Sequence, residues 1–516
     1  MEFIRNDVHT SLLKALKYSQ VTIDEDFNIS DSKSDIEKII SKEGMVLVDE
    51  LICQDNKVKL IGEVRFKILY KASAAKHGME VFQGSISFED VVNVDNASRS
   101  DYSECRCKLE DLSVSVINSR KISVRGLLGN AISVYESSVC NVAVGLENAD
   151  GVECQYIRPV ITESVISKHD VAKIREEISI PQNKPNIDEI IWASVDTRNM
   201  EIKPLTDKLA LRGEVEIFVM YRGGEEHLPV QNLYCVRNIS MEVECQGADE
   251  EMILDADFAL GKGDVVIKAD EDGEDRVLGV DYNLDMNLKL YQDKEINMLS
   301  DMYSPQLEFS REQKNFAYEN LILRNQAKLK INYRKNIPAE DGRIMQICHI
   351  YGNTFVENTE TTQEGVIIEG IVKVNILYVS QGEEPLSCIE ENIPYQYMVE
   401  AGKLSKEASI RVVPCLDQLS ANLISGDEIE IKGQVCLGIS IFKQVEIKVM
   451  EDVAVNEIDY EKKAAVPGIV GYVVNPGDTL WSIARKYYAT TESIKDINNL
   501  ETDEVYPGDR LIIVKA

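Results

Sequence analysis

The sequence predicts a mainly β chain: three tandem all-β domains followed by a small βααβ module. Three observations carry that reading. Residues 58–70, 209–221 and 366–378 share one template, apolar or aromatic at its first, third, seventh, ninth, eleventh and thirteenth positions. Such period-2 alternation marks a half-buried strand. The template recurs at nearly equal spacing, and each copy is followed by a second, weaker alternating stretch starting at Lys121, Arg276 and Glu428. The last fifty or so residues change period, with strand-like ends enclosing helical runs.

The chain has 516 residues, which at roughly 100–200 residues per domain implies three or four domains. In order, the sequence predicts an N-terminal helix over 1–20, with Ile4, Leu12, Leu13 and Leu16 available for one face. The first β domain follows over 21–145. A connection over 146–174 leads to the second, 175–299, with a turn at Gln182–Asn186. A polar stretch, 300–320, separates the third, 321–455. Gly62, Gly213 and Gly370 share the template's fifth position, which predicts a bulge or a close backbone approach there. Short alternating strands between turn clusters indicate sandwich or barrel-like units. Residues 456–468, with Ala464-Ala-Val-Pro-Gly468, read as a linker to the terminal module, 469–516.

In that module Tyr472-Val-Val474 favours a strand and Asn475-Pro-Gly477 a turn. Asp478 and Thr479 can cap the next helix. Leu480, Ile483, Ala484 and Tyr487 form one apolar helical stripe. A second short helix carries Ile494 and Ile497, Pro507-Gly508 turns the chain, and Leu511–Val514 closes the strand pair. This pattern, with Gly477-Asp-Thr-Leu480 and Asn498-Asn-Leu500, resembles the LysM module, which binds N-acetylglucosamine-containing glycans such as peptidoglycan. The resemblance implies a ligand surface where loop one, Gly477, Asp478, Thr479 and Leu480, meets the second loop, Asn498, Asn499, Leu500 and Glu501. Trp481 is either a surface aromatic contact or a packing residue.

The tandem units, with Gly-Glu-Val at 62–64 and 213–215 ahead of Tyr70 and Tyr221, resemble the SPOCS family of sporulation proteins, in which such domains precede a C-terminal LysM. The third unit departs by having Ile371 in place of the glutamate. The resemblance implies a non-enzymatic adaptor in endospore coat and cortex assembly. Its implied partner is the spore coat-basement ATPase, and its implied place the mother-cell cytoplasm at the forespore surface. The alternative is a cell-wall protein that binds peptidoglycan or chitooligosaccharide.

Composition sets limits. A net charge of −32 argues against nucleic acid, which needs a basic patch, and against adsorption to anionic lipid. The first ten residues lack the apolar core of a signal peptide, and no run approaches the roughly 18 apolar residues of a membrane span, so direct membrane insertion is not expected. No phosphate-binding loop, His-Glu-x-x-His or Cys-x-x-Cys occurs, so no catalytic residue, cofactor or metal ligand set is expected. The eleven cysteines lack framework spacing and read as reduced core thiols. Cys105 and Cys107 share a face if their segment is a strand. Asp270–Asp275 reads as an acidic hairpin tip, its glycine misplaced for an EF-hand loop.

Overall fold

The computed structural model describes residues 2–73, 78–224, 230–337, 343–381, 386–405, 408–457 and 459–516. His77 and His227 lie outside them. Each β unit contains six long strands in two three-stranded antiparallel sheets. In unit one these are β1 (Glu2–Asn28), β2 (Ile36–Gln54), β3 (Lys57–Ala72), β4 (Met79–Asn93), β5 (Tyr102–Asn118) and β6 (Lys121–Glu147). Their orders are β2-β3-β4 and β1-β6-β5. The repeated template is β3, the centre of one sheet, and the weaker second stretch is β6, the centre of the other. The sheets meet face to face: Leu60, Val64, Phe66 and Ile68 of β3 pack in one buried cluster with Ile23, Leu112, Ile122, Val124 and Leu128 of the opposite sheet. Cys105 and Cys107 both pack on this cluster, on one face of β5 as expected.

A short strand, β7 (Glu153–Ile157), leads to unit two: β8 (Val160–Ser179), β9 (Ile187–Leu205), β10 (Lys208–Gly223), β11 (Gln231–Glu244), β12 (Ile253–Ala269) and β13 (Asp275–Glu295). Another, β14 (Met298–Tyr303), leads to unit three: β15 (Glu308–Asn336), β16 (Ile344–Thr361), β17 (Gly365–Ser380), β18 (Leu386–Glu400), β19 (Ala408–Ser425) and β20 (Glu428–Asn456). Both repeat the pairing of unit one. The Asp270–Asp275 segment is the exposed turn between β12 and β13, with Gly273 at φ 82°.

The expected helix over 1–20 is instead strand β1. Its apolar residues serve several partners rather than one helical face. β1 pairs with β6 along its whole length, with register shifts at Ile4/Arg5 and Leu13/Ala15. Val8 packs against Val142, Ile161, Phe316 and Val449 at the junction of all three units. Strands β8 and β15 likewise begin inside the stretches assigned to connections, 146–174 and 300–320. Each unit therefore starts earlier than its expected boundary.

The template glycines sit as the sequence suggests. Gly62 and Gly370 lie next to register shifts, at Val48/Glu50 and Val356/Asn358. A Cβ on Gly62 would come within 2.9 Å of the Phe88 ring, and on Gly370 within 2.5 Å of the Tyr395 ring. The aromatic directly across the ladder lies over the bare backbone. The template's last residue is buried in every unit. Tyr70 donates to Ser34 O (3.3 Å) and Glu80 Oε2 (3.0 Å), and Tyr221 to Pro185 O (3.3 Å), tying the central strand to the loop between the unit's first two strands.

The three units share one seam. Leu69, Met220 and Leu377, each one residue before the template tyrosine, face away from their own sandwich and are buried in one cluster with Ile191, Trp192, Phe218, Tyr351 and Leu386. His349 stacks on Phe218 at 4.0 Å between ring centroids. Burial holds its imidazole well below the usual range, at about 3. A polar knot joins equivalent strands β5, β12 and β19. Arg411 binds Asp255 Oδ2 at 2.6 Å and Glu104 Oε2 at 3.0 Å, and Lys289 binds Glu104 at 2.9 Å. Burial pushes the Asp255 carboxyl up, but Arg411, with Arg106 and Lys289, outweighs it and the net shift is downward.

Candidate functional site

The terminal module follows a short helix, α1 (Tyr460–Ala465), within the stretch expected to be a linker. It consists of β21 (Ile469–Val473), α2 (Leu480–Lys486), α3 (Thr491–Asn498) and β22 (Arg510–Val514). Leu480, Ile483, Ala484, Ile494, Leu511 and Ile513 form its core, with Leu500 packed against it.

Thr479 caps α2. Its hydroxyl accepts from the Ser482 N–H at 3.1 Å, while the Ser482 hydroxyl accepts from the Thr479 N–H at 3.0 Å. This reciprocal pair satisfies two otherwise free donors. Asp478 does not cap the helix. Its Oδ2 accepts from the Tyr472 hydroxyl (2.6 Å) and the Asn475 N–H (2.9 Å), closing the turn. The Tyr472 bond is the largest of several causes that lower the Asp478 carboxyl. Gly477 turns at φ 92°, a conformation that favours glycine.

In the second loop, Asn498 donates to Ile494 O and Ile512 O, both at 2.8 Å, and accepts from the Ile512 N–H at 2.7 Å. It fastens α3 to β22. Asn499 ends α3 in the left-handed conformation at φ 52°. Of the nine expected contact residues, Leu480 is buried in the core, and Asp478 and Asn498 are committed to internal hydrogen bonds. Gly477, Thr479, Asn499 and Glu501 are exposed, and Leu500 is half-buried.

Trp481 faces the body of the chain. Its ring meets Tyr303 edge-on, with centroids 4.7 Å apart, and its Nε1–H donates to Asp301 Oδ2 at 3.0 Å. Arg485, one helical turn on, binds the same oxygen at 2.8 Å. The Tyr303 hydroxyl donates to Ala489 O at 3.0 Å, and the Thr491 hydroxyl donates to Glu153 Oε2 at 3.1 Å. Asp301 and Tyr303 belong to β14 and Glu153 to β7, and these two strands pair with each other. The inter-unit connections thus form a small ladder on which the tail docks through α2 and the loop after it. Lys463 of α1 adds a bond to Pro305 O at 3.0 Å. Sequence reading did not find Asp301 or Tyr303, because neither lies in a motif and both act across more than 150 residues.

On the tail's other side, Ile469, Val473, Ile512 and Val514 point outward from the two-stranded sheet, 70%, 55%, 52% and 38% exposed. Ile512 pairs with Gly471 and Ile469 with Val514, so these residues make one apolar stripe. Glu501, Asp503 and Glu504 form an exposed acidic run nearby in sequence.

Three tandem β-sandwiches thus carry a docked βααβ tail. The family described as "SipL, SPOCS domain" matches residues 35–117, 186–268 and 343–424, and the LysM domain family matches 472–514. The chain belongs to the SPOCS-domain proteins with a C-terminal LysM domain. Both are non-catalytic binding domains, and together they define a sporulation-related protein with a module of the peptidoglycan-binding type. Curated relatives match over short stretches. "Probable endopeptidase p60" of Listeria monocytogenes is 51% identical over 39 residues, 8% of each chain. The Listeria grayi protein of that name is 42% identical over 52 residues, 10% of each. "Uncharacterized protein YkzQ" of Bacillus subtilis is 40% identical over 37 residues, 7% of this chain and 49% of that one. The chain therefore spans no more than a tenth of the p60 proteins and about half of YkzQ. No solved structure matches. No described helix is long and apolar enough to cross a membrane.

Proposed function

We propose that this protein is a non-enzymatic adaptor in endospore coat and cortex assembly, docking through its LysM tail to a morphogenetic protein on the forespore surface. The coat-basement ATPase is the partner and the mother-cell cytoplasm the compartment. The observation that carries the protein-partner reading is the apolar stripe of Ile469, Val473, Ile512 and Val514. Contiguous exposed apolar surface is a mark of protein–protein contact. Two further features support it. Asp478 and Asn498, the polar side chains best placed to bind acetamido groups, are spent on internal bonds. The acidic run Glu501–Glu504 disfavours an anionic wall polymer and favours a basic partner surface. Gly477, Thr479, Asn499, Leu500 and Glu501 are the loop contacts of the same partner.

The alternative, a peptidoglycan-binding wall protein, draws on the LysM match itself and on the exposure of Gly477, Thr479, Asn499 and Glu501 in the two loops. Replacing residues 469–516 with an unrelated peptidoglycan-binding LysM separates the two. Stable protein with failed coat encasement is expected. Full rescue would favour glycan binding.

A further inference from the structure

We propose that the hairpin β19–β20 of unit three holds a divalent, thiophilic cation of the zinc class through Cys415, Cys436 and Asp417. Cys415 and Cys436 are direct cross-strand partners. Asp417 lies two residues after Cys415, on the same strand face. The two sulfurs and one carboxylate oxygen lie within 4.8 Å of one another. In a tetrahedral zinc site with metal–sulfur bonds near 2.3 Å and metal–oxygen bonds near 2.0–2.2 Å, donor atoms stand about 3.5 Å apart. The cluster therefore needs only a small contraction, and side-chain rotation can supply it.

The surroundings suit a metal site. Asp417 is 6% exposed, and its Oδ1 accepts from the Asn199 N–H of unit two at 3.0 Å. That bond fixes the carboxylate and leaves Oδ2 aimed at Cys436, whose thiol donates to it at 3.2 Å. A carboxylate ligand held by an outer hydrogen bond is a common feature of metal centres. A chain irregularity follows at once, with a register shift between Asp417 and Ser420 and Gln418 at φ 52°. Cys415 is exposed, so a fourth ligand position is open to water. On binding, the cation takes the place of the two thiol protons, which pass to solvent, and no oxidation state changes.

The sandwich itself does not require these residues. Cys436 stands eight residues past Glu428, where the ladder to the unit's first strand ends. The same offset past Lys121 in unit one gives Gly129, paired with Lys108, and past Val277 in unit two gives Asp285, paired with Ala259. Only unit three places two thiols on this rung. Because Asn199 belongs to unit two, a bound cation would brace the seam between units two and three.

The test is zinc titration of the reduced full-length chain against a chromophoric chelator, with cobalt substitution to read sulfur-to-metal charge transfer. One equivalent is expected, with the charge-transfer band present. Loss of an outer-sphere partner alone costs about 10–100-fold in affinity, so the C415S/C436S double variant is expected to lose more than that and the band. D417N, which keeps an acceptor for Asn199, is expected to weaken binding while the band persists. A C140S/C235S control is expected to bind as the parent does. Circular dichroism checks that each variant is folded. Unchanged stoichiometry in C415S/C436S, no band with cobalt, or a Cys415–Cys436 disulfide, read as two fewer titratable thiols than the eleven in the unreduced denatured chain with no such deficit in C415S/C436S, overturns the proposal.

Discussion

The body and the tail are joined by different chemistry. The three sandwiches meet through a fully buried apolar cluster and a nearly buried ion knot, with equivalent strands contributing from each unit. The tail meets the body through a few polar and aromatic contacts centred on Asp301 and Tyr303. Burying charge is costly unless every partner is present, so the body's seam is close to all-or-none. The tail's contacts can be lost singly. The body is thus a rigid platform, and the tail a module whose docked face is separate from its exposed apolar stripe.

Breaking the body seam is expected to have the largest effects. Arg411→Met removes the cation that bridges Asp255 and Glu104 and leaves Glu104 to Lys289, and about 3–5 kcal/mol of stability is expected to be lost, measured by chemical denaturation. Trp192→Ala empties the centre of the three-unit cluster, with an expected cost of about 3–5 kcal/mol and earlier exposure of all three units in hydrogen exchange.

Acid sharpens the comparison. His349 stays neutral in the fold down to about pH 3, whereas an unfolded histidine titrates near 6.5. Below that value the unfolded chain takes up a proton that the folded one refuses, so stability is full above about pH 6.5 and falls as pH drops towards 3. The loss is on the order of 3 kcal/mol by pH 4. His349→Phe is expected to flatten that part of the pH–stability profile. A parallel profile in the variant would assign the acid loss elsewhere.

The tail contact is weaker. Asp301 also holds Arg311 of β15, so the contact is best cut from the tail: Trp481→Phe with Arg485→Ala removes both of the tail's donors to Asp301, with an expected loss of about 1–3 kcal/mol of docking. Faster proteolysis within 456–468 and faster exchange in α2 should follow, with the body's melting unchanged. Simultaneous loss of body stability would show that the tail is part of the seam.

Much of this was legible in sequence because alternation reports burial directly. The template gave the central strand of each sandwich, and Gly62 and Gly370 gave its bulges. The same segments also carried the seam. Leu69, Met220 and Leu377 are apolar at a position where alternation calls for polar residues, and a strand apolar on both faces is buried on both. β1 was misread because Leu12, Leu13 and Leu16 satisfy helical spacing while a 26-residue ladder with bulges satisfies their packing better. In the tail, caps and core followed from local pattern. The Asp301–Trp481 contact and the Cys415–Cys436 pairing did not, since each depends on register or docking between distant segments.

The account's central claim is that the tail's exposed stripe docks a protein. The direct measurement is binding of the full-length chain to the purified coat-basement ATPase, with Ile512→Asp as the comparison. That exposed substitution is expected to shift stability by about 0.5 kcal/mol or less. A saturable complex, abolished in Ile512→Asp, is predicted, without co-sedimentation of the parent chain with peptidoglycan. No complex, together with peptidoglycan sedimentation competed by chitooligosaccharide, would contradict it.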